Sequence, residues 1–166
     1  PGATPVAAPG LAVHAFAKGL HHPRMLYVLP NGDVLVSETN APHRPADGAG
    51  IKGFLFRYFQ AKAGGAVPSE NRIILLRDRD GDGVAETQTV FLAGLHSPFG
   101  MTLVGDALYV ANTDGIVRVP YERGETQITA PGLNVVALAA GRINHPSTKT
   151  VTARPDGATP PVDPGS

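Results

Sequence analysis

Residues 94 to 121, GLHSPFGMTLVGDALYVANTDGIVRVPY, decide the fold. They hold three short apolar runs, Met101 to Val104, Leu108 to Ala111 and Ile116 to Val119, and Gly105-Asp106 separates the first two. Runs this short, rich in β-branched residues and closed by turn residues, predict β-strands, and Gly-Asp suits the positive φ of a tight hairpin. An upstream stretch at residues 19 to 39, GLHHPRMLYVLPNGDVLVSET, has the same order. Gly19-Leu20-His21-His22-Pro23 matches Gly94-Leu95-His96-Ser97-Pro98 at an offset of 75 residues, and after one gap Val34 to Thr39 matches Leu108 to Thr113. Asn31-Gly32-Asp33 stands where Gly105-Asp106 stands later. The repeated unit is strand, tight turn, strand.

Working outward, further strands are expected at Leu11 to Phe16, Met25 to Leu29, Val34 to Ser37, Arg72 to Leu76, Thr87 to Leu92 and Val135 to Ala139. A third copy of the repeat opens at Asn144-His145-Pro146 and reaches a turn at Pro155-Asp156-Gly157. Propeller repeats run roughly 40–50 residues, so the long first period needs an insertion. Residues 40 to 69 supply it, with loop-like ends around IKGFLFRYFQAK, whose crowded aromatics suggest a short helix or an aromatic plug. The tail, residues 158 to 166, has three prolines and is a poor central strand. The expected fold is all-β, a partial β-propeller of about two blades and the start of a third. Residues 1 to 9 form a flexible lead-in, residues 10 to 157 the incomplete propeller, and residues 158 to 166 a proline-rich tail. Two and a fraction blades do not close a ring, so the sequence reads as a fragment.

Composition agrees. Gly 20 and Pro 16 favour turns, and 42% hydrophobic residues suffice for a core. Lys+Arg 14 balances Asp+Glu 14 with no basic run, which argues against nucleic acid as a partner. The chain has no cysteine, hence no disulfide framework and no Cys-ligated zinc. No segment has the apolar length of a membrane-spanning helix.

Few residues have the makings of a reactive site. Asp78, Asp80, Asp82 and Glu86 in DRDGDGVAE place carboxylates around glycines, as hard oxygen ligands for calcium require. The twelfth position of an EF-hand loop counted from Asp78 is Thr89, not a bidentate Glu, so a solvated turn explains the same residues. None of the six histidines has zinc-hydrolase spacing. His21, His22 and His96 read as loop imidazoles bonded to backbone. His145, after Asn144 at the start of the third copy, sits where a propeller directs side chains toward its central channel. Ser97 and Ser147 lack a nucleophile elbow, and no phosphate-binding glycine loop is present.

Taken together, GLHHPRMLYVLPNGDVLVSET, NRIILLRDRDGDGVAETQTVF, GLHSPFGMTLVGDALYVANTDGIVRVPY and GRINH resemble the N-terminal part of the sorbosone dehydrogenase family, relatives of the soluble quinoprotein glucose dehydrogenases. The resemblance runs from about Gly10 to Thr150. It implies a six-bladed propeller in the periplasm or secreted, with pyrroloquinoline quinone and calcium as cofactors. The implied substrate is a sugar or sugar aldehyde, and the electron acceptor is left open. It also implies that His145 takes the hydroxyl proton as hydride passes to the quinone, and that Asn144 contacts the substrate. Here Asn144 stands in place of an acidic neighbour, and Pro146-Ser147 replaces a further His and an aromatic. No quinone contact transfers to a position of this chain. Two other readings stand beside this one: a noncatalytic propeller binding protein or glycan, and a frameshift that altered the sequence from Pro146 onward.

Overall fold

The computed structural model describes residues 5–39, 70–137 and 150–153. Among them lie eight strands and no helix. β1 (Pro23–Val28), β2 (Val34–Glu38), β3 (Arg72–Arg77) and β4 (Thr87–Leu92) form one antiparallel sheet in that order. β5 (Met101–Val104), β6 (Ala107–Ala111), β7 (Gly115–Pro120) and β8 (Leu133–Ala137) form a second. Each sheet is an up-and-down meander in which sequence neighbours pair, the simplest route for short strands joined by tight turns. The turns are those expected, with Gly32 and Gly105 at φ 91° and 59°, a region that costs an L side chain but not glycine.

The strand positions agree with the sequence reading to within about two residues, apart from one expected strand. Residues 11 to 16 pair with nothing as a strand. The segment crosses the first sheet as irregular chain: the Phe16 carbonyl accepts the Ala85 N–H at 2.8 Å. Phe16, Ala17 and Leu20 pack over Val36, Ile74 and Leu76. Its apolar residues cover a face instead of extending an edge. The insertion at 40 to 69, the third repeat from Asn144 and the tail at 158 to 166 lie outside the described residues.

The pairing register shows that the repeat is structural. In the first sheet Leu26 faces Val36 and Val28 faces Val34. In the second sheet the repeat-equivalent residues pair identically, Met101 with Val110 and Leu103 with Leu108. Because side chains alternate across a strand, these positions mark one corresponding face of each sheet, here called the front. The two sheets use their faces differently. Tyr27, Leu35, Ile73 and Leu75 from the back of the first sheet meet Met101, Leu103, Leu108 and Val110 from the front of the second, with Phe91 and Leu95 between them. The stacking is back to front, a heterologous contact between equivalent units.

That leaves two outer faces. On the front of the first sheet, beyond the cover of residues 16 to 20, Leu26 and Val28 are exposed. On the back of the second, Ala111 and Ile116 pack with Tyr109 and Val151, while Leu133 and Val136 are exposed.

Polar groups tie the sheets at their junction. The Tyr27 hydroxyl accepts the Leu103 N–H at 3.0 Å. Arg77 grips the nearly buried Asp33 with two bonds of 2.7 Å, Nε to Oδ1 and Nη2 to Oδ2, and its Nη2 also reaches the Gly124 carbonyl at 2.9 Å. Burial pushes the Asp33 carboxyl up, but hydrogen bonds from Arg77 and Asn31, with the Arg77 charge, outweigh it and hold the group below its ordinary value.

Candidate metal centre

The acidic loop between β3 and β4 starts where β3 leaves the core, and its glycines allow a tight coil. Gly81 and Gly83 adopt φ 77° and 86°. Their N–H groups donate to the two oxygens of Asp78, at 2.7 and 2.9 Å. The Asp82 N–H donates to Asp80 at 3.2 Å and the Val84 N–H to Asp82 at 2.8 Å, while Glu86 folds back to accept the Arg79 N–H at 2.8 Å. Each acidic side chain therefore helps to shape the loop that carries it. The Asp78 carboxyl is held below its ordinary range by backbone N–H groups, that of Gly83 foremost.

The loop brings together the four residues expected as metal ligands. One oxygen each from Asp78, Asp80, Asp82 and Glu86 lies within 4.8 Å of the others. Calcium binds oxygens at about 2.3–2.6 Å, so two ligands on opposite sides of one ion stand roughly 5 Å apart. The four oxygens meet that limit, and all are hard donors. Glu86, at the ninth position, is thus near enough to act with the three aspartates although Thr89 occupies the twelfth. The Thr89 hydroxyl is engaged elsewhere, donating to the Thr126 carbonyl at 2.9 Å. Asp80, Asp82 and Glu86 are exposed and Asp78 half-buried, which makes this a surface site.

The expected catalytic pair, Asn144 and His145, lies outside the described residues. His21 and His96, expected to bond backbone, pair through Nδ1 with carboxylates: His21 with Glu70 at 3.3 Å and His96 with Asp114 at 2.7 Å. The reason is tertiary, since β2–β3 and β6–β7 bring these acids up beside the loop that leads into each sheet's first strand.

Sequence reasoning missed a buried ion pair at that same end of the first sheet. Glu38, 1% exposed, accepts from Arg72 Nε at 2.7 Å and from the His21 N–H, and Arg72 Nη1 also lies 3.3 Å from Glu70. Its signal was the opposite charge of two residues on strands whose register was still unknown. Sequence reasoning also missed a cleft of about 560 Å³ beside the second sheet, lined by Leu95, His96, Asn112, Asp114, Val117 and Asn134 among others. Among the described residues neither Lys nor Arg lines it. Pyrroloquinoline quinone, a polycarboxylate, requires cationic or multiple N–H partners, so this cleft does not fit the quinone, and no step through that cofactor follows from the described residues.

The class defined by these features is an all-β protein of two stacked meander sheets with an acidic, cation-suited loop at the surface. A protein-family model described as a domain of unknown function (DUF7133) matches residues 56–127, a span that includes β3 to β7 and the acidic loop. No curated protein and no solved structure matches the chain. Among the described residues no helix is long and apolar enough to cross a membrane.

Proposed function

We propose that the chain is part of a β-propeller of the quinone-dependent sugar or sugar-aldehyde dehydrogenase type, periplasmic or secreted. The observation that carries the architecture is the back-to-front stacking of two equivalent meanders. A heterologous contact leaves one unmatched front and one unmatched back, and further sheets satisfy both by continuing the stack until it closes into a ring. The activity rests on the ordered motifs from Gly19 to Tyr121 that resemble the sorbosone dehydrogenases. In that reading His145 receives the substrate's hydroxyl proton as a neutral imidazole, and Asn144 orients the substrate. Calcium in the 78–86 loop braces the β3–β4 hairpin.

The alternative reading is a noncatalytic propeller that binds protein or glycan through its loops. A single experiment separates the two. Protein purified with pyrroloquinoline quinone and calcium is assayed for dye-linked oxidation of aldoses and aldehydes, beside His145→Asn. Oxidation that requires the quinone and falls at least about a hundredfold in H145N supports the dehydrogenase. Absence of quinone binding by the whole gene product refutes it.

A further inference from the structure

The two sheets offer an internal comparison at one position. In the first, Glu38 faces Arg72 across β2–β3, and the guanidinium neutralises the buried carboxylate. In the second, Ala111 pairs with Ile116, and one step further Asn112 stands opposite Gly115, donating its N–H to the Gly115 carbonyl at 2.8 Å. By repeat and by register, Asn112 corresponds to Glu38 and Gly115 to Arg72. His96 also pairs with a carboxylate, Asp114, as His21 pairs with Glu70, although in register Asp114 aligns with Asn71. The second sheet thus keeps the acceptors of the cluster and lacks its guanidinium.

Position 115 also excludes any side chain of its own. A Cβ there would press on the carbonyl of Val136 in β8, so only glycine lets β7 and β8 pair. The consequence appears at Asn112, a residue 5% exposed that lines the 560 Å³ cleft and whose Oδ1 is buried without a hydrogen-bond partner. A buried acceptor left unpaired costs about 1–3 kcal/mol in general, which makes it an unusual feature to keep without a use. Rotation about the Cβ–Cγ bond exchanges the places of the amide oxygen and nitrogen without backbone movement, which is the one adjustment the side chain needs to offer its oxygen to a ligand. Asp114 stands at the cleft's polar rim, 46% exposed, and Leu95, Val117 and Ile128 supply apolar wall.

We propose that this cleft binds a guanidinium group on an apolar stem, an arginine side chain or its free equivalent. Asn112 Oδ1 and the Asp114 carboxylate accept from the planar N–H fork, as Glu38 and Glu70 accept from Arg72. The apolar wall takes the methylene stem, since such stems bury along apolar surface while the charged head keeps its polar partners. The fork's geometry is what distinguishes arginine from lysine here.

The test is amide-resolved NMR titration of the chain with N-acetylarginine methylamide, an Ala-Arg-Ala peptide, methylguanidinium, propylammonium and glycerol. Expected are saturable shifts at Asn112, Asp114 and Val117 with the arginine compounds, and weaker or no response to propylammonium and glycerol. A peptide that binds more tightly than the amide derivative marks a polypeptide source, and equal binding marks a free one. Asn112→Asp, which restores a carboxylate at the Glu38-equivalent position, tightens binding about tenfold, because hydrogen bonds to charged groups are stronger. Asn112→Leu abolishes it, with a thermal melt to show that the variant is folded. Should N112L unfold, N112D carries the test alone. Binding unchanged in N112D, or arginine compounds no better than propylammonium, overturns the proposal.

Discussion

Replacing Arg77 by Met removes the buried ion pair that fastens the β1–β2 turn to β3, together with its one bond to the loop after β7. The substitution keeps most of the apolar stem and removes both 2.7 Å bonds to Asp33 and the 2.9 Å bond to the Gly124 carbonyl. Asp33, 3% exposed, is left as a buried carboxylate with Asn31 as its remaining side-chain partner. Breaking a buried pair costs about 3–5 kcal/mol, and the lower figure applies because the Arg77 side chain is 24% exposed. About 3 kcal/mol corresponds to a fall in Tm of roughly 10 °C for a chain of this size. Urea unfolding at pH 7 measures it as a lower midpoint at unchanged slope.

The pH dependence supplies the sign. Asp33 has its folded pKa depressed below 3.8, so its stabilisation is present above that value and is lost as pH falls through the folded pKa. In R77M burial acts without its counterion, and the folded pKa rises above the unfolded one. The penalty is then present at neutral pH and fades on mild acidification, so the gap between the two proteins narrows as pH falls toward about 5. Asp33→Asn in the R77M background recovers part of the loss. A loss below about 1 kcal/mol in R77M, or parallel pH profiles, would refute the claim that this pair clamps the β1–β2 turn onto β3.

The acidic loop and β8 give two more tests. If the 78–86 loop binds calcium with a Kd of about 0.1–1 mM, as exposed extracellular sites do, then about 10 mM calcium stabilises the chain by roughly 1.4–2.7 kcal/mol. Thermal melts with calcium against chelator should show that gain, and Asp82→Asn should remove most of it; equal melts would leave the loop as a solvated turn. Gly115→Ala forces a Cβ against the Val136 carbonyl, and overpacking of this kind costs about 1–3 kcal/mol. Hydrogen exchange should show the loss concentrated in β7–β8 amides, and a uniform loss over both sheets would contradict the local account.

Short β-branched runs and the glycines of Asn31-Gly32-Asp33 and Gly105-Asp106 were enough to place most strands, because strand formation and hairpin turns depend on residues close in sequence. Leu11 to Phe16 misled for the same reason: an apolar run signals burial, but only a neighbour with free backbone groups makes it a strand, and this one met a sheet face. The acidic loop was legible as a set of ligands, since its residues lie within nine positions and shape one another.

What sequence alone determined, then, is the repeat and its meander; tertiary structure decided how equivalent faces are used. Identical positions became an outer face in the first sheet and the buried junction in the second, because stacking back to front gives each unit different neighbours. The Arg77–Asp33 clamp and the contrast between Glu38–Arg72 and Asn112–Gly115 belong to the same level. They depend on which side chains meet across strands, and register is set by packing of the whole sheet.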